Sequence, residues 1–215
     1  MAKKTRYTPL PRSFYARGVL TVARDTIGKI LVLERESGVL AGRIVEAEAY
    51  RGPEDRAAHS YGGRRTVRTE AMFGPPGHAY VFFVYGMHYH LNLVTTRIGA
   101  PHAVLIRAIE PLEGIPEMAR RRGLSESDRN LTNGPGKLCR AFGIGAERYG
   151  ADLCAPPLYL SDGPRGAVAR SARVGIDYAE DWADKPWRFY EAGNPWVSRG
   201  PRPKRADSSV SRVKP

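Results

Sequence analysis

The chain has little sulfur chemistry to offer. Cys139 and Cys154 are its only cysteines in 215 residues, and they form neither C-x-x-C nor a zinc-ligand spacing. That excludes a disulfide framework or a zinc scaffold as the basis of the fold. A reduced intracellular setting is expected, cytoplasmic or nucleoid in a bacterium and nuclear in a eukaryote. No run of about 18 apolar residues is present, so no membrane-spanning helix is expected. The opening MAKKTRYTPLPRSFYARG lacks an apolar signal segment, so secretion is not expected. Nucleotide motifs are missing as well. Residues 133–138 do not have Walker spacing, and there is no Rossmann fingerprint and no Gly-x-Ser-x-Gly elbow. Nucleotide hydrolysis at a P-loop is excluded.

Negative charge is also short. Lys and Arg number 34 against 22 Asp and Glu, a net charge of +12 with a pI near 10.0. Residues 1–24 hold Lys3, Lys4, Arg6, Arg12, Arg17 and Arg24 and no acid. Residues 199–215 hold Arg199, Arg202, Lys204, Arg205, Arg212 and Lys214 against Asp207 alone. Such a balance favours an anionic partner, nucleic acid before a membrane surface. Basic ends of this kind either follow a phosphate backbone or are solvated tails. Apolar residues make up 42%, enough for the core of one domain.

The periodicity predicts a helix over Leu20–Gly28, with Leu20, Ala23 and Ile27 on one face. Strands are expected at KILVLERE and GRIVEAEAY, in two pieces over Ala79–Thr95 broken at Gly86, at HAVLIRAIEP ending at Pro111, at PLYLSD and at ARVGIDY. Residues 51–78 read as a long functional loop. Helices are expected over Pro116–Arg122, with Gly123 as the stop, and in GPGKLCRAFG. Trp182–Val197 reads as an aromatic, proline-broken wrap. Strands following strands over short turns imply an α+β fold. The expectation is a single compact domain with a curved, mostly antiparallel sheet, peripheral helices and a protruding hairpin.

Period-two alternation in Arg43–Tyr50 puts Ile44, Glu46, Glu48 and Tyr50 on one face and Arg43, Val45, Ala47 and Ala49 on the other. Two carboxylates and a tyrosine then share a surface, and the loop beyond adds His59 and the arginines Arg64, Arg65 and Arg68. A solvated strand face would give the same pattern. Arg107, inside an apolar strand, needs a carboxylate partner, with Glu48 the natural candidate and Glu110 or Asp25 the alternatives. An adjacent guanidinium favours the ionised form of a carboxylate. Tyr85 precedes Gly86 at a bend where a ring can protrude as a wedge into stacked bases. Lys137 and the free N–H groups of GPGKLC suit a phosphate. His88 and His90 alternate on one face, but no third metal ligand has diagnostic spacing, so a structural role is favoured over a metal-dependent hydrolase.

Together these segments resemble the 3-methyladenine (alkyladenine) DNA glycosylase family. The resemblance is carried by PRSFYARG, RIVEAEAYRGPEDRAAHSYGGRRT, MFGPPGHAYVFFVYGMHYHLN, VLIRAIEPLEG, NGPGKLCRAFGI and RVGIDYAEDWADKPWRFY, in order from about Pro11 to Ser198. It implies a glycosylase domain at 13–199 between a basic arm at 1–12 and a basic tail at 200–215. It implies a monofunctional enzyme that excises alkylated, and also deaminated, purines from double-stranded DNA in base excision repair. Such an enzyme acts as a monomer without metal or organic cofactor. The resemblance makes Glu48 the general base for water, Arg107 the residue that holds it, and the Val174 carbonyl a further water contact. Tyr50 and His59 would stack one side of the extruded base and Phe82 the other. Asn92 would limit access of ordinary purines. Tyr85 would fill the vacated space, with Met87 beside it in the groove. Apart from the resemblance, the loop arginines Arg64 and Arg65 and the Lys137 of GPGKLC are expected as DNA backbone contacts. The sequence departs from the family at Phe82, where a tyrosine is familiar, and at His90, where a cysteine or small apolar residue is expected. A noncatalytic nucleic-acid-binding module of the same fold is the alternative.

Overall fold

A computed structural model describes residues 6–200; the basic residues 1–5 and 201–215 of the expected arm and tail lie outside the described residues. Four helices and eight strands follow in chain order: α1 Arg12–Tyr15, α2 Val19–Thr26, β1 Ile30–Arg35, β2 Gly38–Arg51, β3 Ala79–Val84, β4 His88–Thr95, β5 His102–Glu113, α3 Ile115–Arg122, α4 Pro135–Phe142, β6 Leu158–Ser161, β7 Val168–Ser171 and β8 Arg188–Glu191. All strand pairs are antiparallel, in the order β3-β4-β5-β2-β1-β6. The long β2 organises the sheet. Its first half pairs with β1, its second half with β8, and its other edge with β5. The α+β fold with a mostly antiparallel sheet is therefore as the sequence predicts. Among the described residues no helix is long and apolar enough to cross a membrane.

Local chemistry accounts for the helices. In α2 the buried residues Val19, Val22, Ala23 and Thr26 recur at helical spacing and pack on the sheet. Pro135 opens α4, and Gly143 closes it with φ 69°, a left-handed cap that needs no Cβ. The main core joins α2, α4 and one sheet face through Val22, Ile27, Ile44, Ala47, Leu91 and Phe142. Residues 6–11 run beside β6, with Tyr7 and Leu10 buried and the Leu10 amide bonded to the Leu160 carbonyl at 2.7 Å.

Three expectations are corrected. Simple alternation fails in β2, because Val45 and Arg107 are both passed over in the β2–β5 register: Ile44 pairs with Ile109, Glu46 with Ala108 and Ala47 with Ile106. These bulges reverse the phase. Ile44 consequently sides with Ala47 and Ala49 in the core, leaving Glu46 and Glu48 on the opposite face. β5 runs past Pro111 to Glu113, since Pro111 lies opposite Gly42 at another register shift, where a missing N–H is tolerated. Residues 172–178 form no strand; Gly175 turns the chain at φ 75°, and the Val174 amide bonds a side chain instead of a neighbouring strand. The true strands flank that segment, as β7 and β8.

Candidate active site

Two carboxylates with no solvent exposure, Glu46 and Glu48, face Arg107 and Arg188, which are 8% and 3% exposed. The bulge at Arg107 turns its side chain toward β2. Arg107 Nε donates to Glu46 Oε1 at 2.8 Å, and its Nη1 donates to Glu48 Oε2 at 3.3 Å. Arg188 Nε donates to Glu46 Oε1 at 2.7 Å. Two negative and two positive charges balance, as burial of ions demands. Burial alone would raise the Glu46 pKa, but the charges of Arg107 and Arg188 outweigh it and keep the carboxylate below its ordinary range. Burial would likewise lower the Arg107 pKa, and Glu48 and Glu46 instead push it upward. Glu110 and Asp25, the alternative partners for Arg107, are engaged elsewhere, by Arg43 and by Arg17, Arg24 and Arg165.

Glu48 is held from three directions. Tyr50 donates its hydroxyl to Oε2 at 2.9 Å, Arg107 donates to the same oxygen, and the Val174 N–H donates to Oε1 at 2.8 Å. Burial, then the Glu48 charge, raises the Tyr50 pKa well above its usual value, so the phenol keeps the proton it donates. An ionised carboxylate accepts about four hydrogen bonds. Oε2 has two donors and Oε1 has one, so the open acceptor direction is on Oε1, beside Val174. The Val174 contact to Glu48 is thus through its amide.

Above this floor lies a cavity of about 140 Å³. Of the expected residues it gathers Tyr50, His59, Phe82, Tyr85, Asn92, Arg107 and Val174. Glu48 sits beneath, touching three of its lining residues. Asn92, buried opposite Tyr80, donates Nδ2 to the Tyr80 carbonyl at 3.0 Å. One expectation about the walls needs correction. His59 and Phe82 are in edge contact, with centroids 4.5 Å apart at 83°. A base sandwiched between two rings needs about 7 Å, twice a van der Waals contact. These two rings are therefore adjoining walls, not opposite ones. The departure at His90 also reaches the cavity, its ring 5.3 Å from that of Phe82.

The cavity imidazoles are uncharged near neutrality. Burial, reinforced by the charges of Arg68 and Arg64, pushes His59 down to about 4. Burial, with the charge of Arg107, does the same to His90, also to about 4. Nδ1 of His59 lies 2.8 Å from the Tyr80 hydroxyl. Between pH 6.5 and 4 the unfolded chain takes up protons that these folded-state imidazoles refuse, so their linkage lowers stability as pH falls through that window. The melting temperature should decline from pH 7 to pH 4.5 less steeply in His90→Leu than in the parent chain. Equal slopes would remove His90 from the acid sensitivity.

The β3–β4 hairpin projects beside the cavity. Its turn closes with the Met87 N–H donated to the Val84 carbonyl at 3.2 Å. Tyr85 and Gly86, the central residues, have φ 54° and 67°. A tyrosine in the left-handed region is uncommon and costs about 1–2 kcal/mol. Tyr85 is nevertheless 80% exposed, and Met87 is 69% exposed. Strain held at a solvent-facing ring points to use of that ring.

Other expected contacts separate. Arg64 lines a groove with Arg56, Tyr61 and Arg68 that shares Ala57–His59 and Tyr178 with the cavity. Arg65 turns to Glu70, with contacts of 2.5 and 2.9 Å, and lies over the Phe73 ring. Lys137 bonds the side chains of Asn130 and Asn133 and does not line the cavity. No cluster of three or more metal-ligating side chains occurs among the described residues.

The sequence reading missed Tyr80, Met72 and Tyr178 as lining residues, and it missed the pair Asp55–Arg173. That pair is wholly buried, bonded at 2.5 and 2.9 Å. Asp55 also accepts the amides of Arg51 and Ala57, and Arg173 reaches the Ala49 carbonyl and stacks on the Tyr50 ring at 4.7 Å. It therefore ties the loop carrying His59 to the segment carrying Val174.

Residues 13–195 match the profile described as methylpurine-DNA glycosylase. A protein of Desulfitobacterium hafniense named "Putative 3-methyladenine DNA glycosylase" is 52% identical over 198 residues, covering 88% of this chain and 98% of its own. A protein of the same name from Clostridium acetobutylicum is 50% identical over 88% of this chain and 97% of its own. One from Bacillus cereus is 47% identical over 88% and 98%.

Proposed function

The chain belongs to the methylpurine-DNA glycosylase family, and from that premise we propose that it is a monofunctional DNA glycosylase that flips alkylated purines out of duplex DNA and hydrolyses their N-glycosidic bond. The observation that carries the reading is the Glu48 carboxylate, gripped by Tyr50, Arg107 and Val174 under a ring-lined cavity. A base within the duplex is out of reach, so the nucleotide is extruded at a cost of a few kcal/mol, least for a damaged base. Tyr85 fills the vacated stack. The base packs on the cavity rings, each stack contributing about 1–3 kcal/mol. Ring faces also attract a cationic purine. His59, His90 and Tyr50 are neutral at pH 7, and Arg107 is balanced by its carboxylates, so among the described residues no unpaired cation in the wall opposes such a base.

Cleavage follows from charge. The C1′–N bond breaks with its electron pair going to the purine, which neutralises the alkylated ring. The sugar becomes oxocarbenium-like, and Glu48 stabilises it electrostatically. Water attacks C1′ and gives its proton to the open oxygen of Glu48. The cavity small enough for one ring system supports a base rather than a whole nucleotide as its occupant. No lysine lines it among the described residues, which supports hydrolysis without strand cleavage.

A neutral lesion such as hypoxanthine needs a proton to leave. With both cavity imidazoles at about 4, neither carries one at pH 7. Alkylated purines should therefore be released faster than hypoxanthine by about 10²-fold or more at pH 7. The test is a set of duplexes, each with one alkylated or deaminated purine, incubated with the protein and then treated with alkali. Strand breaks should arise at alkylated positions after alkali only. Absence of alkali-labile sites at every lesion would reject the activity, and breaks without alkali would reject the monofunctional reading.

The strained turn makes a separate prediction. Asparagine tolerates positive φ, so Tyr85→Asn should stabilise the fold by about 1 kcal/mol while lowering the preference for damaged over undamaged duplex about tenfold. Thermal unfolding and equilibrium binding read the two effects. An unchanged preference would remove Tyr85 from damage recognition.

A further inference from the structure

The charge cluster below Glu48 is closed by a residue beyond β8. The Ser198 amide donates to Glu46 Oε2 at 2.7 Å, and its hydroxyl donates to Glu46 Oε1 at 2.8 Å. The same hydroxyl accepts from Arg107 Nη2 at 3.4 Å, and the Ser198 carbonyl accepts from Arg188 Nη2 at 3.1 Å. Each nitrogen of the Arg107 guanidinium thus has its own partner: Nε has Glu46, Nη1 has Glu48 and Nη2 has Ser198. Glu46 Oε1 gathers three donors, from Arg107, Arg188 and Ser198. Ser198 lies three positions past the segment that matches the family profile, which ends at residue 195.

We infer that Ser198, acting through Glu46, is a positioning residue for the reaction: it locks the Arg107 guanidinium in the rotamer that meets Glu48. A planar guanidinium held on one edge alone can pivot about its long stem. Held at all three nitrogens it cannot, and the carboxylate it grips keeps its open oxygen aimed at the cavity. Misplacement of a reacting group by about 1 Å costs on the order of 10²-fold in rate. Glu46 itself touches neither the cavity nor, on the proposed reading, the substrate. Its side-chain hydrogen bonds go to Arg107, Arg188 and Ser198. The segment after β8 is thereby part of the catalytic apparatus though it contributes no group to the cavity wall. This rests on the proposed role of Glu48.

The test compares Ser198→Ala with Ser198→Thr, which keeps the hydroxyl. Single-turnover release of an alkylated purine is measured with excess protein, together with affinity for the same duplex, at a temperature well below each variant's unfolding. Ser198→Ala should lose about tenfold in rate with affinity unchanged, and Ser198→Thr should recover most of the loss. A merely structural role would lower both variants alike or shift affinity with rate. Independently of activity, the Arg107 Nε–H resonance should be sharp and protected from exchange in the parent chain and in Ser198→Thr, and broadened in Ser198→Ala. An unchanged resonance in Ser198→Ala overturns the inference even if the parent chain releases no base. A parent chain inactive on every lesion, with the resonance behaving as expected, overturns the glycosylase reading and leaves the lock standing.

Discussion

Glu48→Gln is expected to lower single-turnover release of an alkylated purine by about 10³-fold, within the range that a positioned general base contributes. The replacement is isosteric, and the amide oxygen can still accept from Tyr50 or Arg107. It cannot take a proton from water or offset a developing cation at C1′. Binding should move the other way. Removing one negative charge leaves the buried cluster of Glu46, Arg107 and Arg188 with a net positive charge. Affinity for the phosphate backbone should hold or rise, as for any protein that binds by counterion release. The signature is a lost rate with retained affinity on the same duplex. Release within tenfold of the parent would take Glu48 out of the chemistry.

How much of this was legible in the sequence depends on whether the signal was local. Glu46 and Glu48 share a face because the irregularity in β2 falls at Val45, before both of them. The same irregularity misleads the reading at Ile44, since a bulge leaves no mark in the alternation of apolar and polar residues. Arg107 was legible as a buried cation in need of a carboxylate, but not that it sits at its own bulge, which selects Glu46 and Glu48 over Glu110. Tyr85 was legible through the glycine after it, because Tyr-Gly in a strand-rich stretch demands a turn with positive φ. β8 was hidden by Pro186 and Pro195, which make a four-residue strand read as irregular wrap. The resemblance to a family supplied roles for Asn92 and Val174 that no periodicity carries. Nothing local signalled Ser198, whose partners Glu46 and Arg107 lie 152 and 91 positions away.

Asp55 and Arg173, 118 positions apart, are another long-range pair, and they make the largest stability prediction. Asp55→Asn should cost about 3–5 kcal/mol, because a fully buried guanidinium is left without its counter-charge. For a chain of this size that is a fall of roughly 10 °C in melting temperature. A fall of less than 2 °C would show that Arg173 finds other compensation, for example in its stacking on Tyr50 and Trp187. The double variant Asp55→Leu with Arg173→Met separates two reasons for keeping a buried pair. Replacing both ions by apolar groups of similar size is often neutral for stability. Melting temperature should therefore recover in large part. Base release should not, because the loop bearing Ala57–His59 and the segment bearing Val174 lose the bond that fixes their spacing across the cavity. If release recovers along with stability, the pair only holds the fold together. If stability returns and release stays low, the buried ions set the distance between the wall that holds the base and the amide that holds the carboxylate.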